Sequence, residues 1–327
     1  MEGVLRRVSP VLYLTRVTTA FAAVGNLWFI ILWSRGNPAE HTPAPPVLVE
    51  APLWLLLGAA TAVAVGLFSY ATAMNDAFDA RRDRALHPDR PIPAGALSLE
   101  AAAAIVAFAL ILGVLGATFL GVGAVLIVLL TASAILFYNL IGRYVPSVGL
   151  VLLGLIYAAH MVAGNVSIRF VWPIWLVMTH ALLLGAVVYR AKGKRPALTV
   201  RSFLIATMGW AFWSFILLWV GYRRTGGIWP EWVHWRAAIA PIILAGLFVL
   251  FAWSRLRRAR DRTRAADRIQ RYGALVLPVY DTAWLFGAGL NTEGFVLLAL
   301  AAVGFLGMTI LREVYGLIEH PVGFRRA

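Results

Sequence analysis

The sequence predicts an all-α protein, a polytopic membrane helical bundle of about nine or ten transmembrane helices. Three observations carry that expectation. Of 327 residues, 61% are hydrophobic and only 13% are charged, and the mean hydropathy of +0.79 lies outside the range of an ordinary soluble fold. The apolar residues come in runs of about twenty, the length of a helix that crosses a bilayer, and not as the ~10-residue alternating strands of a barrel. Only those two architectures satisfy their backbone in lipid. Finally, the basic residues collect in alternate loops, as they do in polytopic proteins.

Taken in order, the candidate spans are 10–34, 52–74, 99–119, 121–140, 147–166, 172–190, 201–221, 236–254, 272–289 and 294–312. The first follows Arg6 and Arg7 and lacks a small-residue cleavage site, which predicts a retained helix and not a signal peptide. A Pro-rich loop, 35–51, separates it from the second; the other loops are short. The whole chain, 1–327, reads as a single transmembrane domain. With the N-terminus placed in the cytoplasm, Arg35, Arg169, Arg223, Arg224 and Arg236 fall outside and the other 24 basic residues inside. Both termini are therefore expected on the cytoplasmic side, the protein residing in the inner membrane of a bacterial cell. This bias, with attraction to anionic lipid, accounts for the net charge of +14 without any nucleic acid. The chain contains no cysteine, which excludes disulfides and thiolate chemistry.

The second span ends in Asn75-Asp76-Ala77-Phe78-Asp79-Ala80-Arg81-Arg82-Asp83, followed by Arg90-Pro91-Ile92-Pro93-Ala94-Gly95. Carboxylates are costly near hydrocarbon, so a cluster at a membrane edge is a functional-site hypothesis. On a helix Asn75, Asp79 and Asp83 are successive i,i+4 neighbours, and Asp76 stands i,i+3 from Asp79. Hard oxygen ligands at that density suit Mg²⁺, which takes one or two carboxylates and leaves its other positions to water and phosphate. The alternative is a solvated helix end whose charges are paired and hold no metal.

These residues resemble the first aspartate-rich motif of the UbiA family of membrane prenyltransferases, N-D-x-x-D-x-x-x-D with an R-P-x-P-x-G tail, at every named position. The resemblance implies a bundle around a central cavity open to the cytoplasm. It also implies Mg²⁺ held by Asp76, Asp79 and Asp83 against the diphosphate of an isoprenyl donor, with Asn75 and Arg90 beside it. Phe78 would line the prenyl channel. Family members also tend to carry an Asn near the metal in the first helix, here Asn26. A Tyr-x-x-x-x-Lys/Arg run follows the fourth helix, here Tyr138 to Arg143, so that Arg143 would grip diphosphate bidentately.

A second aspartate motif follows the sixth helix in that family. Here the corresponding loop, Tyr189-Arg190-Ala191-Lys192-Gly193-Lys194-Arg195-Pro196, carries no acid, and its template positions fall on Tyr189 and Gly193. Three readings stay open. Lys192, Lys194 and Arg195 contact the diphosphate directly; or Asp281, a lone acid in the ninth span, supplies a carboxylate; or the protein is a non-catalytic relative that binds a lipid or partner.

His160, Asn165 and His180 are expected to form interhelical hydrogen bonds, and Asp281 needs a partner on another span. The tryptophans, among them Trp28, Trp33, Trp172, Trp175, Trp229, Trp232 and Trp235, are expected in interfacial belts. Arg255 through Arg264 reads as a membrane-surface anchor. The function expected is transfer of an isoprenyl group to an acceptor that the sequence leaves open: an aromatic or quinone-precursor ring, a porphyrin, a phosphosugar or a glycerol phosphate. A transporter would place its acids at the midplane, where only Asp281 lies.

Overall fold

The computed structural model describes residues 2–41 and 44–319. Twelve α-helices make up the described chain: α1 (Glu2–Thr15), α2 (Phe21–Gly36), α3 (Pro46–Glu50), α4 (Leu53–Leu86), α5 (Leu99–Thr118) and α6 (Val122–Leu140). They are followed by α7 (Pro146–Val162), α8 (Trp172–Ala191), α9 (Val200–Thr225), α10 (Ile239–Arg257), α11 (Arg262–Gly287) and α12 (Asn291–Glu319). Six of them (α4, α5, α6, α8, α9 and α10, the last with its preceding turn) are long and apolar enough to cross a membrane, and α7 and the first part of α12 are shorter apolar helices. The chain is a multi-pass integral membrane protein. Every expected span falls on a helix. The tail beyond 319, with Arg325 and Arg326, lies outside the described residues.

Several boundaries differ from expectation: α4 continues past 74 to Leu86 and carries the aspartates, and α12 continues past 312 to Glu319. The first span is not continuous, because α1 ends at Thr15 and α2 begins at Phe21. Arg16 between them is left-handed (φ 48°), and the β-branched run Val17-Thr18-Thr19 that follows forms a 3-10 turn and not a continuation of the α-helix. The ninth span begins ten residues early, at Arg262. There the Asp261 side chain caps the backbone N–H groups of Thr263 and Arg264, and an amphipathic turn extends the helix out of the apolar zone.

Small residues set the tightest helix pair, as is usual in bilayers. A Cβ on Gly66 of α4 would lie 2.5 Å from the Gly113 nitrogen of α5, and one on Gly116 would lie 2.7 Å from the Ala59 oxygen. The 34 residues of α4 span about 51 Å, well past a ~30 Å hydrocarbon layer. A helix that enters at Leu53 has crossed by about residue 72, so Asp76, Asp79 and Asp83 stand just beyond the apolar zone. The far end of the bundle holds an aromatic cluster. Trp33 is fully buried, stacks on Phe170 at 4.7 Å, and Phe170 meets Trp229 and Trp284 edge-on at 5.3 Å each. Trp33 is thus core and not belt, whereas Trp235 is exposed. At the same end Glu40 is buried and accepts the backbone N–H groups of Arg169 and Phe170 at 2.8 and 2.9 Å.

The bonds expected of His160 and His180 join helices, whereas Asn165 lies past the end of α7 and ties the following loop to α2. His160 Nε2 donates to the Ala23 carbonyl at 3.0 Å, Asn165 donates to the Ser34 hydroxyl at 2.9 Å, and His180 Nε2 donates to the Gly273 carbonyl at 3.0 Å. Asp281 differs: it is fully buried, and neither carboxyl oxygen has a hydrogen-bond partner among the described residues.

Candidate functional site

The end of α4 turns one acidic face inward. Asp76, Asp79 and Asp83 are each at most 5% exposed, while Phe78, on the other side of the helix, is 44% exposed. Phe78 sits one residue from Asp79 and so about 100° round the helix, off the buried acidic face.

Four arginines from separate segments close over that face. Arg16, at the α1–α2 break, reaches Asp76 at 3.1 Å. Arg82 pairs with Asp79 at 3.0 Å, one turn along α4. Arg90 lies 2.5 Å from Asp83 and 3.5 Å from Asp76. Arg143 lies 2.8 Å from the other oxygen of Asp79. Asn75 donates weakly to Asp76 at 3.4 Å.

Each arginine is delivered by a local device. For Arg90 it is the Pro-rich tail: Ala94 N–H bonds the Arg90 carbonyl, Gly95 bonds Ile92 at φ 75°, and Leu97 bonds Pro91. The compact turn docks Ile92 and Leu97 on Leu14, Ala73 and Ala102, which folds Arg90 back over the aspartates. Burial alone would lower the arginine's proton affinity, but Asp76 and Asp83 beside it raise it above the ordinary value. For Arg143 the device is a pair of glycines. The turn Gly142–Tyr144 packs so closely on α7 that a Cβ on Gly149 would stand 2.5 Å from the Gly142 oxygen. Arg143 also donates to the Tyr144 hydroxyl at 2.8 Å, and the half-buried Tyr138 ring lies against the same two glycines.

The acid-free loop after α8 lies beside this cluster. Lys194 sits 5.9 Å over the Tyr189 ring, and the Tyr189 hydroxyl donates to the Pro196 carbonyl at 2.5 Å. Although Lys194 still reaches solvent, desolvation holds its ammonium below the ordinary lysine range, with Lys192, Arg82 and Arg143 repelling it further and Asp79 opposing them. Arg195 is exposed nearby. Lys192 departs from expectation: it pairs with Asp267 at 2.6 Å and does not reach the aspartates. Asn26, on α2, is fully buried, with neither side-chain polar atom bonded among the described residues.

The sequence reading missed Arg16 and Arg82. A cation inside an apolar span was the available signal for Arg16; Arg82 had none beyond its place within the motif.

Asp76, Asp79 and Asp83 do not converge on one point. Among the described residues no three His, Asp or Glu side chains gather closely enough to hold one ion, and Arg90 bridges Asp76 and Asp83. Asp83 Oδ1 is nevertheless buried and accepts no hydrogen bond. That one free hard oxygen suits Mg²⁺, which takes one or two carboxylates and draws the rest of its shell from water and phosphate.

A family model described as the UbiA prenyltransferase family matches residues 27–275. The chain belongs to that family. Among solved structures it is similar to a digeranylgeranylglyceryl phosphate synthase, at 20% identity and a TM-score of 0.56, over 88% of this chain and 99% of that one. It is also similar to a UbiA homolog from Aeropyrum pernix K1, at 18% identity and a TM-score of 0.50, over 81% and 96%. A UbiA homolog from Archaeoglobus fulgidus bound to GPP and Mg²⁺ aligns at 14% identity and a TM-score of 0.45, over 92% and 99%. The comparison with curated proteins gives no match.

Proposed function

We propose that this family member is an integral membrane prenyltransferase that moves an isoprenyl group from an isoprenyl diphosphate to a lipid-pathway acceptor. One observation carries the reading: three buried aspartates on one face of α4, covered by arginines from four segments, with Lys194 at the rim. An arrangement of alternating charge at a membrane edge suits a polyanionic headgroup joined to an apolar tail. We place this end of the bundle, with both termini, on the cytoplasmic side of a bacterial inner membrane.

Asp76, Asp79 and Asp83 would hold Mg²⁺, whose charge helps the diphosphate to leave. Arg90, Arg143, Lys194 and Arg195 bind the diphosphate oxygens and absorb the charge that develops as the C–O bond breaks and its electron pair departs. Arg143 and Arg90 already make charge-assisted bonds to carboxylates and exchange them for phosphate oxygens without leaving the site. Asn75, Asn26, Tyr138 and Tyr189 border the donor. The bundle keeps water from the allylic carbon while an electron-rich acceptor atom bonds to it and gives up a proton. Asp281 lies with Asn26 among the buried polar groups available to substrate.

A second reading, a non-catalytic relative that binds lipid or a partner, is favoured by one specific observation. Both oxygens of Asp79 and one of Asp83 are already taken by arginine, and the loop after α8 offers no acid to a second ion. The readings separate in one assay. Purified protein is incubated with geranylgeranyl diphosphate, Mg²⁺ and a membrane lipid extract, and inorganic diphosphate is measured. Release that needs Mg²⁺ and is lost in Asp79→Asn supports the transferase; donor binding without release in every extract supports the non-catalytic relative.

A further inference from the structure

A second cationic feature lies apart from the aspartate face. Between the end of α10 and the start of α11 is a cleft of about 390 Å³ lined by Arg255, Arg264, Asp267, Arg268, Arg271 and Tyr272. None of these residues belongs to the site described above. We propose that this cleft binds the phosphate headgroup of an anionic membrane lipid whose acyl chains lie along the outer face of α10.

The charge in the cleft is largely uncompensated. Its one acid, Asp267, is engaged by Lys192 at 2.6 Å. Arg264 pairs with Asp261 at 3.2 Å. Arg255, Arg268 and Arg271 have no carboxylate within 4 Å among the described residues. Three guanidinium groups converging from two helices make an electrostatically incomplete site, and each planar fork suits phosphate oxygens.

The geometry selects an amphiphile over a soluble anion. Arg264, Arg268 and Arg271 follow i,i+4 and i,i+3 spacing on one face of α11, and Arg271 lies about 10 Å further along the axis toward the bilayer. Beside it the cleft turns aromatic: Tyr272 meets Phe251 edge-on at 5.3 Å, and the Arg255 guanidinium sits 5.3 Å over the Phe251 ring. Leu247, Phe251 and Arg255 continue that stripe at i,i+4 along α10, and Leu247 is exposed. The surface therefore grades from cationic to aromatic to aliphatic over two turns, in the order phosphate, glycerol, acyl chain. Positive-inside topology explains why arginines lie at this membrane edge. It does not require them to converge on a cleft, and Arg257, equally near, stacks on Trp253 at 4.2 Å instead. Basic pockets between membrane helices are where lipid phosphate groups bind.

The test uses the full chain in phosphatidylcholine nanodiscs titrated with fluorescent phosphatidylglycerol. The proposal expects saturable binding that weakens about tenfold or more in the double variant Arg268→Gln/Arg271→Gln, the scale of losing charge-assisted bonds. The equally charged control Arg257→Gln/Arg258→Gln should change it less than roughly twofold, the scale of screened surface charge. Millimolar inorganic phosphate should not displace the lipid. Elution volume and thermal melting establish that the variants are folded; Arg271→Lys, which keeps the charge and loses the fork, serves if the double variant is not. An equal loss in both double variants would reduce the effect to diffuse surface charge and overturn the proposal. Displacement by inorganic phosphate, or the absence of saturable binding, would overturn it as well.

Discussion

Gly149→Ala tests whether the turn after α6 delivers Arg143 to the site. A Cβ at 149 would stand 2.5 Å from the Gly142 carbonyl oxygen, inside the ~3.3 Å at which carbon and oxygen touch. The neighbouring contact is backbone, so the turn Gly142–Tyr144 must retreat from α7 by roughly 0.8 Å. Arg143 rides on that turn, and its bond to Asp79 is 2.8 Å long. A shift of that size stretches it past the ~3.2 Å limit of a good N–H···O bond. A charge-assisted hydrogen bond contributes about 1.5–3 kcal/mol. Misplacing Arg143 should therefore weaken isoprenyl diphosphate binding about ten- to hundredfold. The assay is equilibrium binding of radiolabelled geranylgeranyl diphosphate in detergent, with thermal melting in parallel. Gly58→Ala on α4, where a Cβ meets nothing within 4 Å, is the control and should bind as wild type. Unchanged affinity in a folded Gly149→Ala protein would refute the reasoning: either the turn does not position Arg143 or Arg143 does not bind the donor.

Three further outcomes follow from the same structure. Donor affinity should fall as pH rises through the depressed pKa of Lys194, because desolvation and neighbouring cations lower that pKa in the free protein and a bound anion raises it; Lys194→Arg should flatten the dependence, and an unaltered profile in that variant would exclude the lysine. Burial raises the pKa of Glu40 in the folded state, so wild-type stability relative to Glu40→Gln should rise as pH falls through the raised value toward the ordinary glutamate range; thermal melts across that range would contradict this by showing a constant difference. Replacing the orphaned Asp281 by Leu should stabilise the protein by about 1–3 kcal/mol, the cost of an unsatisfied buried polar group, whereas a lower melting temperature would mean that the carboxyl has a partner in the membrane-embedded protein.

Helix positions were legible because hydrocarbon leaves a chain so few options: apolar runs of fixed length must be helices, and glycines such as Gly121 and Gly289, both at positive φ, mark the tight turns between them. The aspartate face was legible because i,i+3 and i,i+4 spacing is sufficient to place Asp76, Asp79 and Asp83 together. What the pattern does not encode is long-range pairing. Arg16 was hidden inside an apolar run, and its contact with Asp76 bridges 60 residues. Lys192 reads like its neighbours Lys194 and Arg195, yet it is drawn away by Asp267, which lies on a helix that begins ten residues earlier than hydropathy suggests. Adjacency in the motif does not put Phe78 on the acidic face, because the 100° step of the helix separates it from Asp79. Trp33 looked interfacial by position, but a stacking partner from a distant loop, Phe170, makes it core.

The most direct test of the account is equilibrium binding of labelled geranylgeranyl diphosphate to the purified protein, with and without Mg²⁺, in wild type and in Asp79→Asn. The account predicts saturable binding that is strengthened by Mg²⁺ and lost in the variant. No binding by folded wild-type protein, over several isoprenyl chain lengths, would contradict it.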